Sequence, residues 1–139
     1  MLNTTECLPL LVLAVALSAC GGTNGDPSYA ELESLAKARE AEAIAFAANL
    51  SCTRDAECGT LLFADTYPTC SPYRYAPIAI IAVAAPQALS SAAEQRAYAY
   101  AAQPLSGKFA PPCAPSAWLA PAPVPSCVSN ICALIPRDA

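Results

Sequence analysis

The chain has 139 residues, enough for one small domain, and a formal net charge of −4. This acidic balance excludes a nucleic-acid partner, because nucleic-acid binding needs clustered Lys and Arg. The sequence contains no histidine, which excludes histidine-based nucleophile activation and histidine-ligated catalytic metals. Its five glycines form no phosphate-binding motif, so neither a nucleotide nor another small-molecule cofactor is expected.

An apolar run lies near the amino terminus, over residues 8–17 (LPLLVLAVAL). A membrane-spanning helix needs about 20 such residues, so this run has the length of a signal-peptide core. The next residues, Leu17-Ser18-Ala19-Cys20, resemble the lipobox of bacterial lipoproteins. The alternatives are an ordinary cleaved signal or a buried apolar segment.

The resemblance implies cleavage before Cys20, a diacylglyceryl group on its sulfur and a further acyl chain, such as palmitate, on the new amino terminus. Residues 1–19 are then the signal peptide, and two or more acyl chains anchor the protein stably in a membrane. Gly21 stands where an aspartate retains such lipoproteins in the inner membrane, so the outer membrane is expected. The chain from Cys20 onward carries seven basic and ten acidic residues, because only Glu6 is charged before it.

Two helices are predicted. Residues 20–26 form a glycine-rich tether, and residues 27–51 form an amino-terminal helical segment with regular helix to about residue 49. Asp26 is the expected cap, with Pro27 in the first turn. The second helix is expected over residues 87–103, with Ser91-Ala92-Ala93-Glu94 either a capping box or part of a helix begun near Pro86.

Short strands and turns account for the remainder. Residues 58–65 predict a strand, and residues 67–77 an extended, turn-rich segment. The apolar residues 78–85 (IAIIAVAA) fit a buried strand or a buried helical turn. Residues 111–125 predict a proline-rich arm, and residues 126–135 a hairpin turning at Ser129 and Asn130, or one bent strand. The predicted fold is a small disulfide-rich α+β domain, with residues 52–135 stapled by disulfides.

Six cysteines follow Cys20, and Cys7 leaves with the signal. An even number in an exported chain predicts three disulfides, with 15 connectivities left open. Cysteines this far apart, without histidine, do not suit a structural zinc site. We expect at least one long-range bridge between the first three and the last three of these residues: Cys52, Cys58, Cys70, Cys113, Cys127 and Cys132.

The order of these cysteines is similar to that of a set of small secreted proteobacterial proteins. The shared motifs are C-x-x-D-x-x-C at residues 52–58 (CTRDAEC), C-x-P-x-x-Y at residues 70–75 and C-x-x-x-x-C at residues 127–132. This resemblance covers about 80 residues. It implies a related fold and no particular activity.

No catalytic residues are predicted. Asp55, Glu57 and Asp65 are the formal carboxylate candidates, and acids beside a cysteine turn are usually solvated or capping groups. A binding surface is the stronger hypothesis, because exposed tyrosine and arginine are typical of binding hot spots. The candidates are Tyr73, Arg74, Tyr75 and Trp118.

The function predicted from the sequence is therefore a membrane-anchored envelope lipoprotein, not an enzyme, which binds an envelope protein or the cell wall. The alternative is a small disulfide-constrained inhibitor of an exported hydrolase. Its candidate inhibitory loops are residues 59–69 and 114–126, both bounded by cysteines.

Overall fold

The computed structural model describes residues 25–71, 73–109, 112–113 and 121–137. It confirms a small disulfide-rich α+β fold, built from two helices, two antiparallel two-stranded sheets and three disulfides. Within the described residues no helix has the length and apolar character needed to cross a membrane. The predicted signal peptide, Cys20 and the part of the predicted tether before Gly25 lie outside the described residues.

The first helix, α1, spans Tyr29–Phe46. Its amino-terminal cap is Ser28, not Asp26 as the sequence predicted. The Ser28 side chain accepts from the Glu31 N–H while the Glu31 carboxylate accepts from the Ser28 N–H, a capping box that satisfies donors at both residues. These contacts hold the pKa of Glu31 below its usual range.

The helix ends three residues before the predicted 49 and five before the segment boundary at 51. The reason is competition from a β-type contact. The Leu50 carbonyl accepts from the Cys132 N–H at 2.8 Å, and the Cys52 N–H donates to the Asn130 carbonyl at 3.1 Å. The chain must be extended here to reach the carboxyl-terminal hairpin, so α1 stops early.

Strands β1 (Cys58–Ala64) and β2 (Tyr73–Ala79) form an antiparallel sheet. The predicted strand at 58–65 is thereby confirmed, and β2 begins within the segment expected to be extended. Their large apolar side chains pack against alanine-rich faces of both helices. The core cluster contains Ala43, Ala47, Leu61, Phe63, Ile78, Ala85, Ala88 and Ala92.

The apolar run over residues 78–85 is not uniformly buried, which corrects the expectation of a buried segment. Only Ile78, Ala79 and Ala85 are buried, at the end of β2 and the start of the next helix. The intervening residues form turns, and Val83 is 96% exposed. A chain reversal between strand and helix has to run over the surface, whatever its hydropathy.

The second helix, α2, spans Ala85–Ala102, with Pro86 in its first turn. It begins two residues before the predicted start, and Ser91 lies inside it instead of capping it. The Ser91 hydroxyl donates to the Glu42 carboxylate of α1 at 3.1 Å, which links the two helices.

Strands β3 (Val124–Val128) and β4 (Ile131–Ile135) form the predicted hairpin, which turns at Ser129 and Asn130. Both turn residues have positive φ, 51° and 62°. This is the backbone of the type I′ turn that matches the twist of a two-residue hairpin.

The disulfides are Cys52–Cys127, Cys58–Cys132 and Cys70–Cys113. The expected long-range bridge is confirmed, since every bridge joins one of the first three cysteines to one of the last three. Most of the predicted proline-rich arm, residue 111 and residues 114–120, lies outside the described residues.

Candidate binding surface

Two of the predicted binding residues, Tyr73 and Tyr75, share one face of β2. Successive side chains of a strand point to opposite faces, so Arg74 between them belongs to the other face. Tyr73 and Tyr75 are each 37% exposed. The sequence triplet therefore divides into a tyrosine pair on the outer face of the sheet and an arginine on the face toward α1.

Arg74 holds α1 against the sheet. Its guanidinium makes a bidentate ion pair with Glu40 of α1, and its Nε lies 2.9 Å from Oδ1 of Asp65. The hydrogen bonds to Glu40 raise the pKa of Arg74 above its already high value, while partial burial opposes this shift. Arg74 thus has partners on both sides.

A third tyrosine, Tyr100 of α2, joins the tyrosine pair. Its hydroxyl donates to the Tyr73 hydroxyl at 3.2 Å, and Tyr100 is 44% exposed. Ionisation would remove the donated proton, so this hydrogen bond raises the pKa of Tyr100. We call Tyr73, Tyr75 and Tyr100 the tyrosine face. Its third member was missed, because nothing in sequence spacing relates residue 100 to residue 73.

Helix α2 fixes the strand behind this face. The Gln95 side-chain amide both accepts from the Ala64 N–H at 3.0 Å and donates to the Ala64 carbonyl at 2.7 Å. Next to it, Arg96 donates to the Leu62 carbonyl at 2.7 Å. Strand β1, which pairs with the strand that carries Tyr73 and Tyr75, is consequently hydrogen-bonded on both sides, and this support lowers the ordering cost of binding at the tyrosine face.

Trp118, the remaining predicted binding residue, lies outside the described residues. Cys20, the predicted lipidation site, lies outside them as well. Both remain predictions.

The carboxylate candidates all have structural partners. Oδ1 of Asp55 accepts from the Cys127 N–H at 2.7 Å, and Asp65 pairs with Arg74. Glu57 accepts from the Thr53 N–H at 2.7 Å and from the Thr53 hydroxyl. The bond from the Thr53 backbone is the main cause that holds the pKa of Glu57 low. The contacts of Glu57 match the capping role expected of acids beside a cysteine turn, whereas Asp55 and Asp65 bond to more distant parts of the chain.

Two disulfides lie side by side in a small second core. The Sγ atoms of Cys52, Cys58 and Cys132 lie within 4.8 Å of one another, a spacing that would suit a metal ion. All three sulfurs are engaged in the bridges Cys52–Cys127 and Cys58–Cys132. A metal ligand must be a free thiolate, so this cluster is a packing feature of the oxidised protein.

One of the candidate inhibitory loops is largely a strand. Residues 59–64 belong to β1 and are buried or half-buried. Only residues 65–69 of that loop lie outside regular structure. Of the second loop, residues 114–120 lie outside the described residues, and residues 124–126 belong to β3.

Comparison of the chain with protein-family models, with curated proteins and with solved structures finds no match.

Proposed function

We propose that this protein is an exported lipoprotein of the bacterial cell envelope, anchored through acylated Cys20, that acts by binding another envelope component through its tyrosine face. The observation that carries the proposal is the grouping of Tyr73, Tyr75 and Tyr100 on one rigid, partly exposed surface. Tyrosine supplies a large contact area with a hydrogen-bonding group and few rotatable bonds.

The anchoring half of the proposal rests on residues 8–20, and the three long-range disulfides fit an oxidising compartment. Intact mass of the protein from the membrane fraction tests it. A mass that begins at an acylated Cys20, with six thiols that react only after reduction, is the expected result. A mass that includes Met1, or thiols that react before reduction, would refute export.

The binding half is tested by photo-cross-linking in intact cells. A benzophenone amino acid replaces Tyr75 in one full-length variant and Leu35 in a matched control. Leu35 is 42% exposed on α1, on the opposite side of the sheet. We expect a discrete adduct from position 75 and none from position 35.

The nature of the adduct decides between partners: a protein band indicates an envelope protein, and an adduct that a muramidase releases indicates the wall. Equal labelling at the two positions, or none at either, would refute the tyrosine face as the contact surface. Inhibition of an exported hydrolase has weaker support, because most of residues 59–69 form β1.

A further inference from the structure

The outer edge of β2 presents backbone groups that pair with none of the described residues. The Ala64 N–H and carbonyl both point to Gln95 and not to β2, so Ala64↔Tyr73 is a non-hydrogen-bonded pair of the sheet. The pairs alternate along the ladder, so Tyr75 and Pro77 also direct their backbone groups away from β1. Two N–H groups and three carbonyls face outward at Tyr73, Tyr75 and Pro77, because proline has no N–H. Among the described residues, none supplies a partner for them.

Two other strand edges are closed in part, in contrast. Gln95 and Arg96 cover the second half of the β1 edge. On β3, Pro125 has no N–H to offer, and the Cys127 N–H donates to Asp55. Natural proteins close such edges because an open one pairs with another chain. The edge of β2 lacks any such cover from the described residues.

An apolar groove runs beside the open edge, on the side of the sheet toward α1. Its volume is about 170 Å³, and no charged residue lines it. Ile44 of α1 and Ala48, two residues beyond the end of α1, form one wall, and Ala76 and Pro77 of β2 form the other. An aliphatic side chain fits a groove of this size and character, and a charged one would lose its hydration there.

We propose that the β2 edge binds an extended segment of a partner protein, which adds as a further strand beside Tyr73–Tyr75–Pro77. This rests on the proposed binding function and names the partner class. Backbone hydrogen bonds to β2 hold the segment, and its side chains alternate between two sides. One set lies beside the tyrosine face, and an aliphatic side chain of the other set occupies the groove.

A second copy of this chain fits the edge less well. Antiparallel pairing of two β2 strands about Tyr75 would set Tyr73 of each copy opposite Pro77 of the other. The Tyr73 carbonyl would then face a residue without an N–H, and one acceptor on each copy would lack a donor. A foreign segment leaves only one such gap, at its own carbonyl opposite Pro77, where the symmetric pair of copies leaves two.

The test uses the full-length oxidised protein and a displayed library of random nine-residue peptides. We expect selected peptides with an aliphatic residue at one fixed position. N-methylation of such a peptide should abolish binding at alternate residues only, because only every second N–H of an added strand faces β2.

Two variants distinguish the contribution of the Tyr75 backbone N–H to binding from that of its side chain. Tyr75→Val removes the ring and keeps the N–H, whereas Tyr75→Pro removes both and breaks no bond to β1. Tyr75→Pro loses one hydrogen bond to the peptide and leaves a peptide carbonyl unpaired. Its affinity for the peptide should therefore be about tenfold weaker than that of Tyr75→Val. Pro77→Val adds a donor at the edge and should tighten binding.

Three results would overturn strand addition. They are equal affinity of Tyr75→Pro and Tyr75→Val, no alternation on N-methylation, and protection of the Tyr73 and Tyr75 amides from hydrogen exchange in the free protein, which would mean an occupied edge. A dimer lost in Tyr75→Pro would make the occupant a second copy instead. If strand addition fails while the adduct from position 75 persists, the tyrosine face survives as the binding surface.

Discussion

Glu57 stabilises the turn between Cys52 and Cys58. Its carboxylate accepts from the Thr53 N–H and hydroxyl and pairs with Arg54, whose Nε lies 3.1 Å from Oε1. All of these contacts favour the ionised form, so the folded protein has a lower Glu57 pKa than the unfolded chain. This carboxylate stabilises the fold above its unfolded pKa, and that contribution disappears as the pH falls through the folded value.

We expect Glu57→Gln to lower stability at neutral pH and to flatten the acid limb of the stability profile, because the amide cannot ionise. Urea unfolding of both proteins at neutral pH and at about pH 3 measures this. The wild-type protein should lose more stability than the variant over that range. Parallel profiles would show that Glu57 does not contribute to the acid sensitivity.

Individual residues also mark where sequence reasoning stops. Gln95 lies in a helical sequence that predicts an ordinary polar surface position, yet it is 1% exposed. It is buried because the Ala64 backbone needs a donor and an acceptor, a demand that exists only once α2 lies along β1. Among the carboxylates, the contacts of Glu57 are local, as expected of an acid beside a cysteine turn. Asp55 instead accepts from the Cys127 N–H, 72 residues away, a contact that the sequence does not indicate.

Among the elements, those with local signals were predictable. The carboxyl-terminal hairpin follows from two short apolar segments around Ser129 and Asn130, and β1 follows from its β-favouring residues. The end of α1 was not predictable, because it depends on the distant carbonyl and N–H groups of the hairpin. Its start was misassigned because two capping signals overlap at residues 26–31, and only the reciprocal bonds of Ser28 and Glu31 decide between them.

Ser129 offers a test at the level of the hairpin. Its φ of 51° is costly for a residue with a Cβ and cost-free for glycine. We therefore expect Ser129→Gly to raise the free energy of unfolding by about 0.5–1 kcal/mol, net of the greater flexibility of the unfolded chain. Chemical denaturation measures the change, and Ser126→Gly, within β3, is the matched control that should be destabilising.

For the whole molecule, the paired bridges Cys52–Cys127 and Cys58–Cys132 share one loop. While either is intact, the other closes a loop of only about a dozen residues, and its removal should cost about 3 kcal/mol. After one of them is removed, the remaining bridge closes a loop of about 30 residues, which runs through the intact Cys70–Cys113 bridge. Removal of this second bridge should cost about 4 kcal/mol.

Unfolding of the two double alanine variants and of the quadruple variant measures this coupling. A quadruple variant that loses no more than the sum of the two separate losses would contradict the shared loop.

The placement of the bridges relative to residues 80–84 has one further consequence. Every disulfide joins a cysteine before this exposed turn to a cysteine after it. An envelope protease that cuts at Val83 hydrolyses one peptide bond and releases no fragment, because three disulfides still join the two pieces. The piece with β2 and the proposed anchor would keep its partner piece, α2 and the hairpin, until a reductant separates them. Nicked molecules would migrate as one band on non-reducing gels, and the fraction that has been cut would be visible only after reduction.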